Sequence, residues 1–197
     1  MLVQTPQMRA LYTVAWLIAI IYATIPCYWL LVHPHIDFWR ARRVRLSMVG
    51  PLWVLLWLVA GAITWPWRMV ALYRVAWAWI PAAALILTGI VIYSRARHDF
   101  TTDQVLGRSE LEPHRHEQRL HSSGIRARVR HPYYLGHLCE LLGWAVGTGL
   151  AVLYALLIFA VITGGLMIAA EERELESRFG QSYRDYKRRV PAILPRF

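Results

Sequence analysis

Glu171 and Glu172 are adjacent carboxylates placed directly after a long apolar run. Acids are costly if they sink into hydrocarbon. A pair at this place is therefore either paired with nearby arginines or part of a site. Neighbouring residues on a helix point about 100° apart, so at most one of the two enters a given pocket. A second cluster, Arg130-His131-Pro132-Tyr133-Tyr134-Leu135-Gly136, stands at the start of the preceding apolar run. Pro132 suits the first position of a helix, where exposed amides face any anionic ligand. His137 and Glu140 follow one turn apart. Such a pair is a functional candidate, or two side chains that hydrogen-bond each other near the interface. If an acceptor must lose a proton, the candidate bases are Glu172, Glu140 and His137, in that order.

Other chemistry is poorly supported. His98, His114, His116 and His121 suggest a metal, but there is no HExxH and no Cys pair at ligand spacing. No metal is expected, and a His- and Arg-rich loop facing anionic lipid is the simpler reading. Gly147-Thr148-Gly149 has no preceding strand, so it reads as a hairpin turn rather than a phosphate loop. Cys27 and Cys139 are the only cysteines and are expected as free thiols.

The elements that position these residues follow from composition. Of 197 residues, 57% are hydrophobic and only 17% are charged. That is too apolar for an ordinary soluble domain of this size, and it excludes disorder. Spans of about 20 apolar residues cross a bilayer. Leu11 to Val32, Leu46 to Trp65 and Met69 to Tyr93 are three such runs, with Arg74 near the start of the third able to snorkel. Leu135 to Ala170 is too long for one helix and fits a hairpin of two. The expectation is an all-α integral membrane protein with five transmembrane helices, the last two forming a C-terminal helical hairpin. Two crossings of a roughly 30 Å core need roughly 60 Å of helix, more than this run supplies. One arm is therefore short, and the arm from Pro132 to Gly147 is the candidate.

Arginines set the orientation. Arg40, Arg42, Arg43 and Arg45 follow the first span, eight Arg lie between Ser94 and Tyr134, and seven Lys plus Arg follow Glu171. All fall on one side if the N-terminus is outside and the C-terminus cytoplasmic. Trp65 and Trp67 then belong to the outer aromatic belt. The net charge of +10 marks the cytoplasmic face rather than a nucleic-acid surface. In the tail, Leu175, Phe179, Tyr183, Tyr186 and Val190 recur at steps of three or four. They predict an amphipathic cytoplasmic helix, broken at Gly180 and ended by Pro191. Glu174–Arg178 and Asp185–Arg189 are favourable i,i+4 pairs. Residues 1–93 read as a three-span N-terminal bundle and 94–197 as a catalytic half, within one folded unit.

The two clusters, with flanking residues, resemble the isoprenylcysteine carboxyl methyltransferase family of integral membrane enzymes, which is related to phospholipid N-methyltransferases. The residues concerned are Leu120-His121-Ser122-Ser123-Gly124-Ile125, Arg130 to Gly136, Glu171-Glu172 with Leu175, then Phe179-Gly180, Tyr183, Tyr186, Val190-Pro191 and Pro195. The resemblance implies S-adenosylmethionine as methyl donor, with S-adenosylhomocysteine as product. It implies donor contacts from Gln118, Arg119, Leu120 and His121, from Arg126, from His131, Pro132, Tyr133 and Tyr134, and from Glu171. Carboxylates suit the hydroxyls, amine and positive sulfur of such a donor, and aromatic faces suit its adenine or its cation.

Two positions depart from the family. Arg126 stands where isoprenylcysteine enzymes usually have Tyr, and Met167 where they have the Arg that holds the substrate carboxylate. Methyl transfer is therefore better supported than a prenylcysteine acceptor, and a lipophilic or small carboxylate, amine or thiol reached from the bilayer remains open. Membrane lipids are expected neighbours. With 21 Arg and one Lys, a bacterial inner membrane is the expected location. An NADPH-dependent reductase of the sterol-reductase type, which shares a related C-terminal pattern around His-Pro, is the rival. A non-catalytic protein of the same fold is a third reading.

Overall fold

The computed structural model describes residues 5–42, 46–98 and 119–194. The chain begins with α1 (Pro6–Val32), capped by Thr5, whose Oγ1 accepts from the Met8 amide at 3.3 Å. A single 3-10 turn, His33–His35, leads to the short α2 (Ile36–Ala41). Then follow α3 (Leu46–Thr64), α4 (Trp79–His98), α5 (Pro132–Thr148), α6 (Ala151–Phe179) and α7 (Gln181–Arg189). The only β pairing among the described residues is an isolated bridge between Ala71 and Leu150. The fold is all-α, as expected.

Four stretches among the described residues are long and apolar enough to cross a membrane: Pro6–Ala41, Val49–Trp67, Ala76–Arg97 and Ala151–Phe179. The protein is thus an integral membrane protein. The remaining hairpin arm, α5, has 17 residues. At 1.5 Å per residue it reaches about 26 Å, short of a roughly 30 Å hydrocarbon core. It is the short arm that the length of the hairpin demands.

The third span starts later than the sequence suggests. Residues 69–75 are not helical, and their backbone is tied to the hairpin tip instead. The Leu72 amide donates to the Gly149 carbonyl at 2.8 Å and the Ala151 amide to Val70 at 2.9 Å. The physical reason is that the hairpin tip leaves backbone groups open at the end of two apolar helices, where they need partners. Arg74 accordingly stands exposed in this connection rather than within a helix. The turn itself is at Gly149, with φ +66°.

The core lies where α1, α5 and α6 meet, with Trp16, Ile20, Leu141, Leu153 and Leu156 buried together. Small residues let α4 lie directly on α5: a Cβ on Gly143 would come within 3.0 Å of the Ala82 carbonyl. α3 leans on α1, tied by hydrogen bonds from the Trp16 indole to Thr64 (2.8 Å) and the Trp53 indole to Thr24 (3.1 Å). Its other face exposes Leu55, Leu58 and Ile63.

α6 runs beyond its apolar part and carries Glu171 and Glu172. Gly180, at φ +56°, breaks the chain direction before α7. The predicted apolar face forms as one cluster: Tyr183, Tyr186 and Val190, packed with Leu120, Leu175 and Phe179. Glu174 pairs with Arg178 at 3.5 Å as expected. Asp185 instead pairs with Arg188 at 3.6 Å, while the Arg189 Nε donates to the Asp185 backbone carbonyl.

Candidate functional site

The hairpin returns the chain to the start of α5, so Glu171 and Glu172 meet the residues just before it. His131 directly precedes Pro132, the first residue of α5. Its Nδ1 lies 3.2 Å from Glu171 Oε2 and its Nε2 3.3 Å from Glu172 Oε1. Burial alone would lower the His131 imidazole, but the charge of Glu171 and the bonds to both carboxylates outweigh it and raise it to about 9. At neutral pH the ring is an imidazolium donating to one carboxylate on each side.

Glu172 is the centre of a denser network. Arg130 reaches its Oε1 through Nε at 2.9 Å and also through Nη2. Lys187 Nζ stands 3.0 Å from Oε2. Three cations therefore hold one carboxylate. The two acids also differ in access: the Glu172 side chain is 10% exposed and that of Glu171 is 25%. Glu171, which pairs with His131, keeps the larger solvent-exposed area of the two.

The C-terminal segment holds this arrangement from the other side. The amides of Arg130 and His131 donate to the carbonyls of Pro191 (2.9 Å) and Ala192 (3.0 Å). The Arg130 guanidinium also donates to the carbonyls of Lys187 and Val190. The Tyr186 hydroxyl donates to the Arg126 carbonyl at 2.7 Å. Arg126 is buried, donates to the Ala96 carbonyl at 3.2 Å, and lies 5.6 Å from the Tyr133 ring.

The remaining sequence candidates fall as follows. Gln118 lies outside the described residues, as do His114 and His116. Arg119 is exposed, His121 half-buried, and Leu120 packs on the α7 aromatic face. Tyr134 is turned away from the carboxylates: its hydroxyl donates to the Ala160 carbonyl, in space that Gly164 leaves open. Met167 is buried within α6. Cys27 and Cys139 are free.

His137 and Glu140 form a second group, deeper along α5. The Tyr22 hydroxyl donates to Glu140 Oε2 at 2.7 Å. His137 packs edge-on against the rings of Tyr22 and Tyr93, with centroids at 5.2 and 4.9 Å. The two do not hydrogen-bond each other; His137 Nδ1 contacts the Tyr133 carbonyl at 2.8 Å.

Several participants carry little or no sequence signal. Arg130 lies inside the motif, but nothing in the sequence marks its four side-chain bonds. Lys187 is the only lysine, which says nothing of its partner. Tyr22 reaches Glu140 across 118 residues of chain, from a span that bears no motif.

No family model matches the chain, and no solved structure does. It is 43% identical over 68 residues to methanethiol S-methyltransferase 2 of Bradyrhizobium diazoefficiens, covering 34% of this chain and 26% of that protein. It is 36% identical over 79 residues to the protein-S-isoprenylcysteine O-methyltransferase of Schizosaccharomyces pombe, covering 38% of this chain and 32% of that one. A match of 58 residues at 40% identity covers 92% of an uncharacterized protein of Haemophilus influenzae and 29% of this chain. The match spans about a quarter to a third of the two methyltransferases' own length. These partial similarities to two methyltransferases agree with the resemblance to the isoprenylcysteine carboxyl methyltransferase family.

Proposed function

We propose that the protein is a membrane methyltransferase that uses S-adenosylmethionine and transfers its methyl group to a small or lipophilic acceptor. The observation that carries this reading is the convergence of His131 with Glu171 and Glu172 from segments about 40 residues apart. These are the segments that resemble the family. The orientation that supports it puts the cluster on the cytoplasmic side and the N-terminus outside, following the arginines.

The residues present suit such a donor. Glu171, the more accessible acid, fits an amine or ribose hydroxyls. The first amides of α5 have no partner within the helix and, with Arg126, fit a carboxylate. Tyr133 offers an aromatic face. Bound there, the donor supplies an electrophilic methyl on a positively charged sulfur. Glu172 is a positioning residue: it gathers Arg130, His131 and Lys187 and so fixes the loop that leads into α5. The short α5 keeps this cluster close to the bilayer, where an acceptor arrives laterally and water is scarce.

The test is binding of S-adenosylhomocysteine to the full chain in detergent, by calorimetry, followed by transfer of labelled methyl to a panel of thiols, carboxylates and amines. Micromolar binding is expected, with Glu171→Gln weakening it at least about tenfold without loss of fold. Binding of NADPH in place of S-adenosylhomocysteine would overturn the reading in favour of a reductase. Binding of neither would favour a non-catalytic protein.

A further inference from the structure

The first span bears no motif, yet its end comes back to the carboxylates. Glu171 and Glu174 stand three residues apart on α6 and so share a face. Arg40 of α2 grips that face: its Nη2 lies 3.2 Å from Glu174 Oε1, and the Glu174 side chain is only 7% exposed. The 3-10 turn His33–His35, which joins α1 to α2, packs on α6 as well. His33 is buried on this turn, and an electrostatic interaction joins it to Glu171.

His33 is held firmly where it stands. Its ring stacks on Trp29 of α1, with centroids 5.3 Å apart and 25° between the planes. The Trp39 indole donates to the Leu31 carbonyl at 2.7 Å and so folds α2 back on the end of α1. The Arg40–Glu174 bridge then pins the whole segment to α6. Glu171 needs such a neighbour. Glu172 is gathered by three cations, whereas Glu171 pairs with His131 through one oxygen. A carboxylate set in direction before the ligand arrives loses less side-chain freedom on binding, and that saving appears as affinity.

We propose that the end of α1 supplies a third wall of the donor site. His33 is a positioning residue that presents Glu171 to the donor from the side opposite the motif, and the Arg40–Glu174 bridge holds the turn that carries it. This rests on the methyltransferase reading and extends its site into the half of the chain that bears no family motif.

The test is a double-variant cycle in the full chain in detergent, read as S-adenosylhomocysteine affinity by calorimetry. His33→Ala is expected to weaken binding about three- to tenfold. With Glu171→Gln already in place, the same change is expected to alter affinity by less than about 1.5-fold, because nothing remains to be positioned. A merely structural His33 would weaken binding equally in both backgrounds. Should His33→Ala fail to fold, the same cycle with Arg40→Met decides: a loss of at least about twofold is expected, again absent beside Glu171→Gln. Equal weakening with and without the Glu171 carboxylate, or no weakening at all, would overturn the third wall while leaving the methyltransferase reading intact. Absence of S-adenosylhomocysteine binding in the wild type would overturn both.

Discussion

Replacing Glu172 by Gln keeps the shape of the side chain and removes the charge that gathers Arg130, His131 and Lys187. The Arg130 and Glu172 side chains are 9% and 10% exposed, so little solvent screens their pairing. Breaking a buried pair from one side costs about 3–5 kcal/mol, because the remaining charge stays buried. Arg130 keeps its bonds to the carbonyls of Lys187 and Val190, which favours the lower end, about 3 kcal/mol. Lys187 is 39% exposed and screened, and its share is under about 1 kcal/mol. At about 2–4 °C per kcal/mol for a chain of this size, Glu172→Gln should lower Tm by roughly 6–12 °C. Lys187→Met should lower it by at most about 4 °C. The ten tryptophans allow thermal unfolding to be followed by intrinsic fluorescence in detergent. If Glu172→Gln is no more destabilising than Lys187→Met, Glu172 is not the centre of the network. Loss of activity at unchanged Tm would instead return it to the role of a base.

Two further outcomes follow from the same geometry. His131 is raised to about 9 from 6.5, so its contribution to stability is fully present below about pH 6.5 and is lost as pH rises through about 9. Tm measured between pH 6 and 10 should fall across that window, and His131→Gln should flatten the fall. A Cβ on Gly164 would run into the Tyr134 hydroxyl. Gly164→Ala should therefore cost about 1–3 kcal/mol by overpacking, read by the same melting assay, and the double variant with Tyr134→Phe should regain part of it.

Much of the fold was legible because a bilayer imposes a length on apolar runs. The long runs became helices, the stretch after Leu135 became a hairpin, and its limited length foretold the short α5. The tail was readable for a different reason: its polar and apolar faces alternate at the helical period, so Tyr183, Tyr186 and Val190 had one place to go. The start of the third span was misplaced because residues 69–75 are as apolar as a helix. Their backbone is claimed by the hairpin tip, and composition does not register such a contact.

The site divides in the same way. Sequence alone determined that His131 and the Glu171-Glu172 pair lie at one end of a hairpin, since two adjoining helices must return the chain to where it entered. Only the tertiary structure decided that Glu172 gathers three cations while Glu171 pairs with His131, that Tyr134 turns into the α5–α6 contact, and that α1 supplies Tyr22 to Glu140. The spanning helices are apolar on nearly every side. Their rotation about their own axes and their depth against one another are set by close packing at positions such as Gly89, Gly143 and Gly164, not by any pattern along the chain.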